Sequence, residues 1–408
     1  MKLPRDFLKK FVVILPPLLL AVQAVDYLFS GYLSYIRAFI LFSIVIPFSF
    51  RRVKSFDTIS YLILLFLAYT LIISFKSSDY SVTIPGYLSI YVSMSFYIVA
   101  YNVFQRQEDF QAFKALLYLV PAVFIVNVAL HAAFGIGEGV YGGKDVLKIG
   151  PGLHHNTIYT GVLIIVLSFG LLKYSKHKTI DIIFLATMTI IILLSFRRTA
   201  IILMVVCYLI YILLSRKREA VKYILPSLVI LISAYPLYEE PLKNVIKARG
   251  HRATFERGIE RESRYLEIKI ITKRSLSFRD PNYSLFGMEF LNSFGTYGCL
   301  AFPVVMRRIL HTDYAVILHG AGLAGFGIYF VILAAFLVKI VTYVRVLGPS
   351  HDMTIICLCF FSVLALSMFS GGLLNITYRT SLFIFLGSAA RISDGLVSAR
   401  SHIQPRKQ

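Results

Sequence analysis

The segment His311-Thr312-Asp313-Tyr314 opens a long apolar run and carries the densest group of reactive side chains in the chain. An imidazole at the edge of such a run is suited to accept a proton near neutral pH, where imidazoles ordinarily titrate. The plain alternative is an interfacial histidine with no chemical role. Thr312 or Asp313 can cap the helix that follows. Further along, His319 sits among Gly320, Gly322, Gly325 and Gly327, small residues whose spacing favours close helix packing.

Two groups of arginines are candidate anion binders. Arg197 and Arg198 separate the apolar run Thr187 to Phe196 from one starting at Thr199. Ionisable groups so close to hydrocarbon are costly and often functional, although both side chains could simply reach to the headgroups. Between Ala253 and Lys273, Phe255, Ile259, Leu266 and Ile270 share one helical face while Arg257, Arg261 and Arg264 form another. That spacing is an amphipathic helix with a basic stripe. The stripe is either a solvated face paired locally with Glu256, Glu260 and Glu267, or a cradle whose guanidinium groups hold phosphate oxygens through paired donors. Cys207, Cys299, Cys357 and Cys359 are scattered and read as packing residues. Metal ligands do not cluster, so neither a metal nor a cofactor is expected, and the His311 segment lacks the paired carboxylates of a glycosidase, which weighs against a hydrolytic reading.

The elements that must position these groups are membrane helices. Hydrophobic residues make up 57% of the chain and charged residues 15%, and mean hydropathy is +0.73. That balance suits a chain solvated by a bilayer. Runs of about 17–25 apolar residues recur, each able to cross ~30 Å of hydrocarbon as a helix. Helices satisfy their own backbone groups there. Candidate spans lie near 8–28, 32–50, 57–75, 84–104, 113–134, 156–174, 180–196, 199–215, 221–238, 314–340, 353–370 and 376–394. The expected fold is therefore an all-α polytopic membrane protein with about 12 transmembrane helices. Residues 1–408 form a single integral membrane domain, and 239–312 form one large periplasmic loop containing the amphipathic helix.

A net charge of +21 would suggest nucleic acid in a soluble protein, but here Lys and Arg are mostly confined to short junctions after every second span. That is a topology signal, placing both termini in the cytoplasm, and no nucleic-acid partner is expected. Trp is absent, so an aromatic belt must draw mainly on the 26 Tyr residues. The segment from Lys2 to about Ala24 resembles a signal peptide, yet an uncleaved first helix preserves the charge alternation and is preferred. The outer side then receives 135–155, the turn at Arg197-Arg198, the loop 239–312 and the link from Gly371 to Arg379.

His-Thr-Asp-Tyr, followed by Leu318 and by Gly322-Leu-Ala-Gly325, resembles the signature of the O-antigen ligase and O-antigen polymerase superfamily, His-Asn-x-Tyr-Leu-x-x-Leu-x-Glu-x-Gly-x-x-Gly. Upstream pieces agree in order. Ser195 to Ala200 is similar to the family's Arg-bearing turn, and Ser263-Arg264-Tyr265 to its Ser-Arg-x opening of the large loop. Leu285-Phe286-Gly287-Met288 is similar to the Leu-x-Gly segment that follows, and Gly152 to Asn156 to a Gly-x-x-x-x-Asn helix entry. The resemblance covers roughly residues 150–330. Thr312 stands where the family has Asn, and Gly320 where it has an acidic residue.

The resemblance implies metal-independent, inverting glycosyl transfer at the periplasmic face of the bacterial inner membrane. The donor would be an undecaprenyl-diphosphate-linked glycan and the acceptor a hydroxyl on lipid A-core or on a lipid-linked glycan, amid membrane lipids. His311 is then the base. Arg198 and Arg264 stabilise the diphosphate leaving group, with Arg197 and either Arg257 or Arg261 adding charge. Tyr314, His319 and Asn156 are supporting candidates. A ligase layout, with one large loop before the last three spans, is favoured over a polymerase. A precursor transporter or flippase is the reading from another class, and it would place its critical residues near mid-membrane.

Overall fold

The computed structural model describes residues 5–26, 53–134, 157–195, 197–215, 263–288, 310–372 and 375–403, with isolated positions between 36 and 50 and at Glu239. Among them there is no strand. The helices include α1 (Arg5–Asp26), α2 (Thr58–Ser74), α3 (Tyr80–Val103), α4 (Leu116–Phe134, preceded by a short helical stretch from Gln107), α5 (Ile158–Leu171), α6 (Lys178–Leu194) and α7 (Arg198–Leu214). After them come α8 (Ser263–Leu276), α9 (Pro281–Phe286), α10 (Asp313–Leu347), α11 (Asp352–Ser367) and α12 (Ile376–Ile403). All but α8 and α9 fall on the apolar runs read from the sequence. The runs near 32–50 and 221–238 lie largely outside the described residues.

Among the described residues, five helical stretches are long and apolar enough to cross a membrane: Asp6–Ala24, Thr83–Val103, Gln107–Leu130, Asp313–Leu347 and Ile376–Ser401. The apolar helices α2, α5, α7 and α11 are shorter. Short polar side chains start several of them by accepting the exposed backbone amides of the first turn. Asp57 accepts from the Ser60 amide at 2.9 Å, Asp79 from Ser81 at 2.9 Å, and Thr312 from Ala315 at 3.2 Å.

In a lipid environment close packing, and not burial from water, holds helices together. α12 lies along α3, where Gly387 has no Cβ to strike the Tyr97 carbonyl. Gly161 of α5 faces Met188 and Ile192 of α6, so these two helices run antiparallel. Cys207 of α7 and Cys359 of α11 are buried against each other's carbonyls, at 3.9 and 3.8 Å. Both therefore serve packing, as expected; Cys299 lies outside the described residues.

The two ends of the bundle differ in chemistry. At one end Lys9 bonds Asp109 (2.6 Å), Lys114 bonds the Tyr174 carbonyl (3.1 Å) and Arg400 bonds the Val346 carbonyl (2.9 Å). Lys339, near the end of α10, bridges Asp57 (2.8 Å) and Asp394 (2.6 Å). Tyr97 donates to Asp57 at 2.8 Å, while Tyr101 and Tyr343 each donate to Asp394 at 2.7 Å. This network ties α2, α3, α10 and α12 into one clamp. His311 precedes the first turn of α10 and so marks the opposite end.

Asp57→Asn should lower the thermal midpoint in detergent, because it removes one of the two carboxylates that hold Lys339. A variant with the parental midpoint would remove Asp57 from the clamp.

Candidate functional site

The site is built where α8 lies beside the start of α10. Helix starts expose backbone amides that need acceptors, and buried ones need them most. Glu267 of α8 supplies one. It is fully buried, and its Oε1 accepts from the His311 amide (2.9 Å), the Thr312 amide (3.0 Å) and the Thr312 hydroxyl (2.9 Å). Its Oε2 faces the His311 Nδ1 at 3.7 Å, and the imidazole itself is 48% exposed. On the other side, Gly371 lies directly on the His311 carbonyl, an approach that its φ of 69° and missing Cβ allow. The Tyr314 amide bonds the Met368 carbonyl at 3.1 Å. The backbone at His311 is thus clamped on two sides while its ring stays open to solvent.

This corrects the expected faces of the amphipathic helix. Glu267 is not in a solvated ion pair: the buried face of α8 runs Glu267, Ile271 and Ser275, and Leu266 and Ile270 are only half-buried beside it. The amides at the α10 start supply the donors that a buried carboxylate needs, so this face of α8 packs inward. Arg264, one turn before Glu267, is half-buried. The part of this helix expected before Ser263, with Arg257 and Arg261, lies outside the described residues, as does Asn156.

The contact continues as a polar seam. The Tyr314 hydroxyl meets Thr272 at 2.9 Å, which gives the tyrosine a bridging role between the two helices. His319 is buried and its Nδ1 lies 2.9 Å from the Tyr283 hydroxyl. The Arg274 guanidinium covers the Tyr283 ring at 4.2 Å. Burial pushes the Tyr283 phenol above its ordinary value, despite the opposing pull of Ser275 and Arg274, so it stays a neutral hydrogen-bonding group.

Gly322 adopts φ 65° and interrupts α10, which is therefore two helical segments where one continuous run was expected. A break of this kind releases carbonyls from the helical ladder. Here the Met288 amide takes the His319 carbonyl at 2.9 Å, and the Tyr69 hydroxyl takes that of Ala321 at 2.7 Å. Gly287 packs on the backbone of Gly320, and Gly322 on the Leu285 carbonyl. A Cβ at Gly287 would strike the Gly320 carbonyl, so glycine at 287 is what lets this turn close on the break. Gly325 packs against Tyr69, whereas Gly327 faces open space and makes no close packing contact.

A buried ion pair lies just behind the site. Asp313 accepts from Arg379 and, at 2.8 Å, from the Gly372 amide. Both side chains are almost fully enclosed, at 2% and 1% exposure.

Arg197 is half-buried at the cap of α7 and Arg198 is exposed in its first turn. They share the His311 end of the bundle. The end of α6 adjoins the start of α5, and Tyr159 in that first turn touches the Tyr378 ring, centroids 5.2 Å apart. α7 itself packs against α5 and α11, and α8 against α10. The structure therefore gathers His311, Arg264, Tyr314 and His319 along one seam, with Arg197 and Arg198 at the same end on a separate helix. Chemically, the seam offers an imidazole facing solvent with a carboxylate behind it, and Arg264 lies one turn before that carboxylate on the same helix. No protein-family model and no curated protein matches the chain.

Proposed function

We propose that the chain is a membrane glycosyltransferase of the O-antigen ligase type, moving a glycan from undecaprenyl diphosphate to a hydroxyl of lipid A-core at the periplasmic face. The observation that carries this reading is convergence. Three segments that resemble the superfamily in sequence meet in space: Glu267, on the helix opened by Ser263-Arg264, holds His311 and Thr312, and Gly287-Met288 packs on His319-Gly320. Their spacing along the chain alone does not require this.

The orientation follows from where the same basic junctions lie in space. Lys9, Lys114, Lys339 and Arg400 gather at the end opposite His311, and basic junctions mark the cytoplasmic side. The twelve-span count is part of the proposal. Gln23 bonds Thr377 at the His311 end (2.7 Å) while Asp57 lies at the Lys339 end, as a further crossing between them would require.

In the proposed reaction His311 takes the proton of the acceptor hydroxyl as its oxygen attacks the anomeric carbon. The glycosidic bond to the diphosphate breaks, and its electron pair leaves with the lipid diphosphate. Arg264 and Arg198 are the residues proposed to bind that developing charge, since guanidinium groups stabilise a diphosphate through paired donors. No step requires a cofactor.

Deleting the gene and resolving the surface glycans on a gel tests the reading. Lipid-linked long chains beside bare lipid A-core are the expected result. Lipid A-core capped by a single repeat would make the protein a polymerase instead. Unchanged chains with precursor held on the cytoplasmic face would overturn the transferase in favour of a flippase.

A further inference from the structure

We infer that Glu267 is the positioning residue for His311, holding the imidazole in the tautomer with its proton on Nδ1 so that Nε2 faces the acceptor hydroxyl as the base. The role in transfer rests on the glycosyltransferase reading, whereas the tautomer itself does not. The two oxygens of this carboxylate are used unequally. Oε1 takes all three hydrogen bonds from His311 and Thr312, which fixes the carboxylate and the backbone it serves. Oε2 is buried and accepts no hydrogen bond among the described residues, yet it faces His311 Nδ1 at 3.7 Å. A buried carboxylate oxygen without a donor is costly. The half-exposed imidazole is free to turn and supply the missing N–H, whereas its backbone is not free to move.

The consequence is chemical. With Nδ1 carrying the proton toward Oε2, the lone pair on Nε2 points away from the protein. During transfer Nε2 takes the hydroxyl proton, the hydroxyl oxygen bonds to the anomeric carbon, and the diphosphate departs with the electrons of the broken bond. The imidazolium that forms then stands beside a fixed negative charge.

Glu267→Gln separates anchoring from orientation. Its amide oxygen can replace Oε1 toward both backbone amides, leaving an NH₂ opposite Nδ1, where it favours the wrong tautomer. The expected result is a fall in kcat of about 100-fold with KM for donor and acceptor nearly unchanged, and Glu267→Asp recovering part of the loss. Nitrogen-15 NMR of histidine-labelled protein in lipid nanodiscs, with the His311 signal assigned by its loss in His311→Gln, should show an Nδ1–H ring in the parent and an Nε2–H ring in Glu267→Gln. An Nε2–H ring in the parent protein overturns the inference, and that reading needs no variant to fold. So does a Glu267→Gln protein with parental kcat. If instead the tautomers behave as expected while no glycan is transferred by the parent, the glycosyltransferase reading fails and the positioning of His311 stands.

Discussion

His311→Gln is expected to lower the transfer rate by about 10²- to 10⁴-fold, the usual worth of a positioned general base. Glutamine is near in size and polar, and the half-exposed ring contributes little packing, so insertion and unfolding temperature should stay close to the parent. The backbone amide at this position, which Glu267 holds at 2.9 Å, is retained. A group that acts only on the reacting proton lowers kcat and leaves binding of the lipid donor intact. Arg264→Gln and Arg198→Gln should differ, weakening donor binding as well as turnover, because the diphosphate is present in both ground and transition states. Purified protein in nanodiscs, given a lipid-linked donor and lipid A-core, supplies both constants. Parental kcat in His311→Gln would leave the seam between α8 and α10 without its proposed base.

The sequence exposed those parts of this arrangement that depend on local pattern. Apolar runs located the helices because lipid-facing and packed positions are both apolar. Residue type narrowed the α10 cap to Thr312 or Asp313, and the bond from the Ala315 amide decides for Thr312. What escaped was set by partners distant in sequence. Glu267 fits a solvated basic stripe equally well by local spacing, and only the amides of His311 and Thr312 decide that it turns inward. Arg379 fell in a stretch read as a link at the outer end, with no local sign that Asp313 would enclose it. The break at Gly322 was likewise hidden: glycines at such spacing suggest smooth close packing, and the turn at Leu285 to Gly287 that fills the break comes from another segment.

That buried pair sets the second large effect. Arg379→Met should destabilise the protein by about 3–5 kcal/mol, because it leaves the Asp313 carboxylate enclosed with its cation removed. The Gly372 amide, at 2.8 Å, would remain as a donor to Asp313 but carries no full charge. Asp313→Asn should cost stability for the reciprocal reason, stranding a guanidinium that is 1% exposed. Replacing both together should cost less than the sum, since neither charge is then left alone. The effect reaches the site through the chain. Asp313 starts α10 next to Thr312, and the link it holds at Gly372 continues from Gly371, which lies on the His311 carbonyl. Loss of the pair should therefore lower transfer and stability together, in contrast to His311→Gln, where activity falls alone. Unfolding of both single variants and the double in mixed micelles measures the coupling. Additive losses within about 0.5 kcal/mol would show that the two charges act independently, and the clamp behind His311 would have to be sought elsewhere.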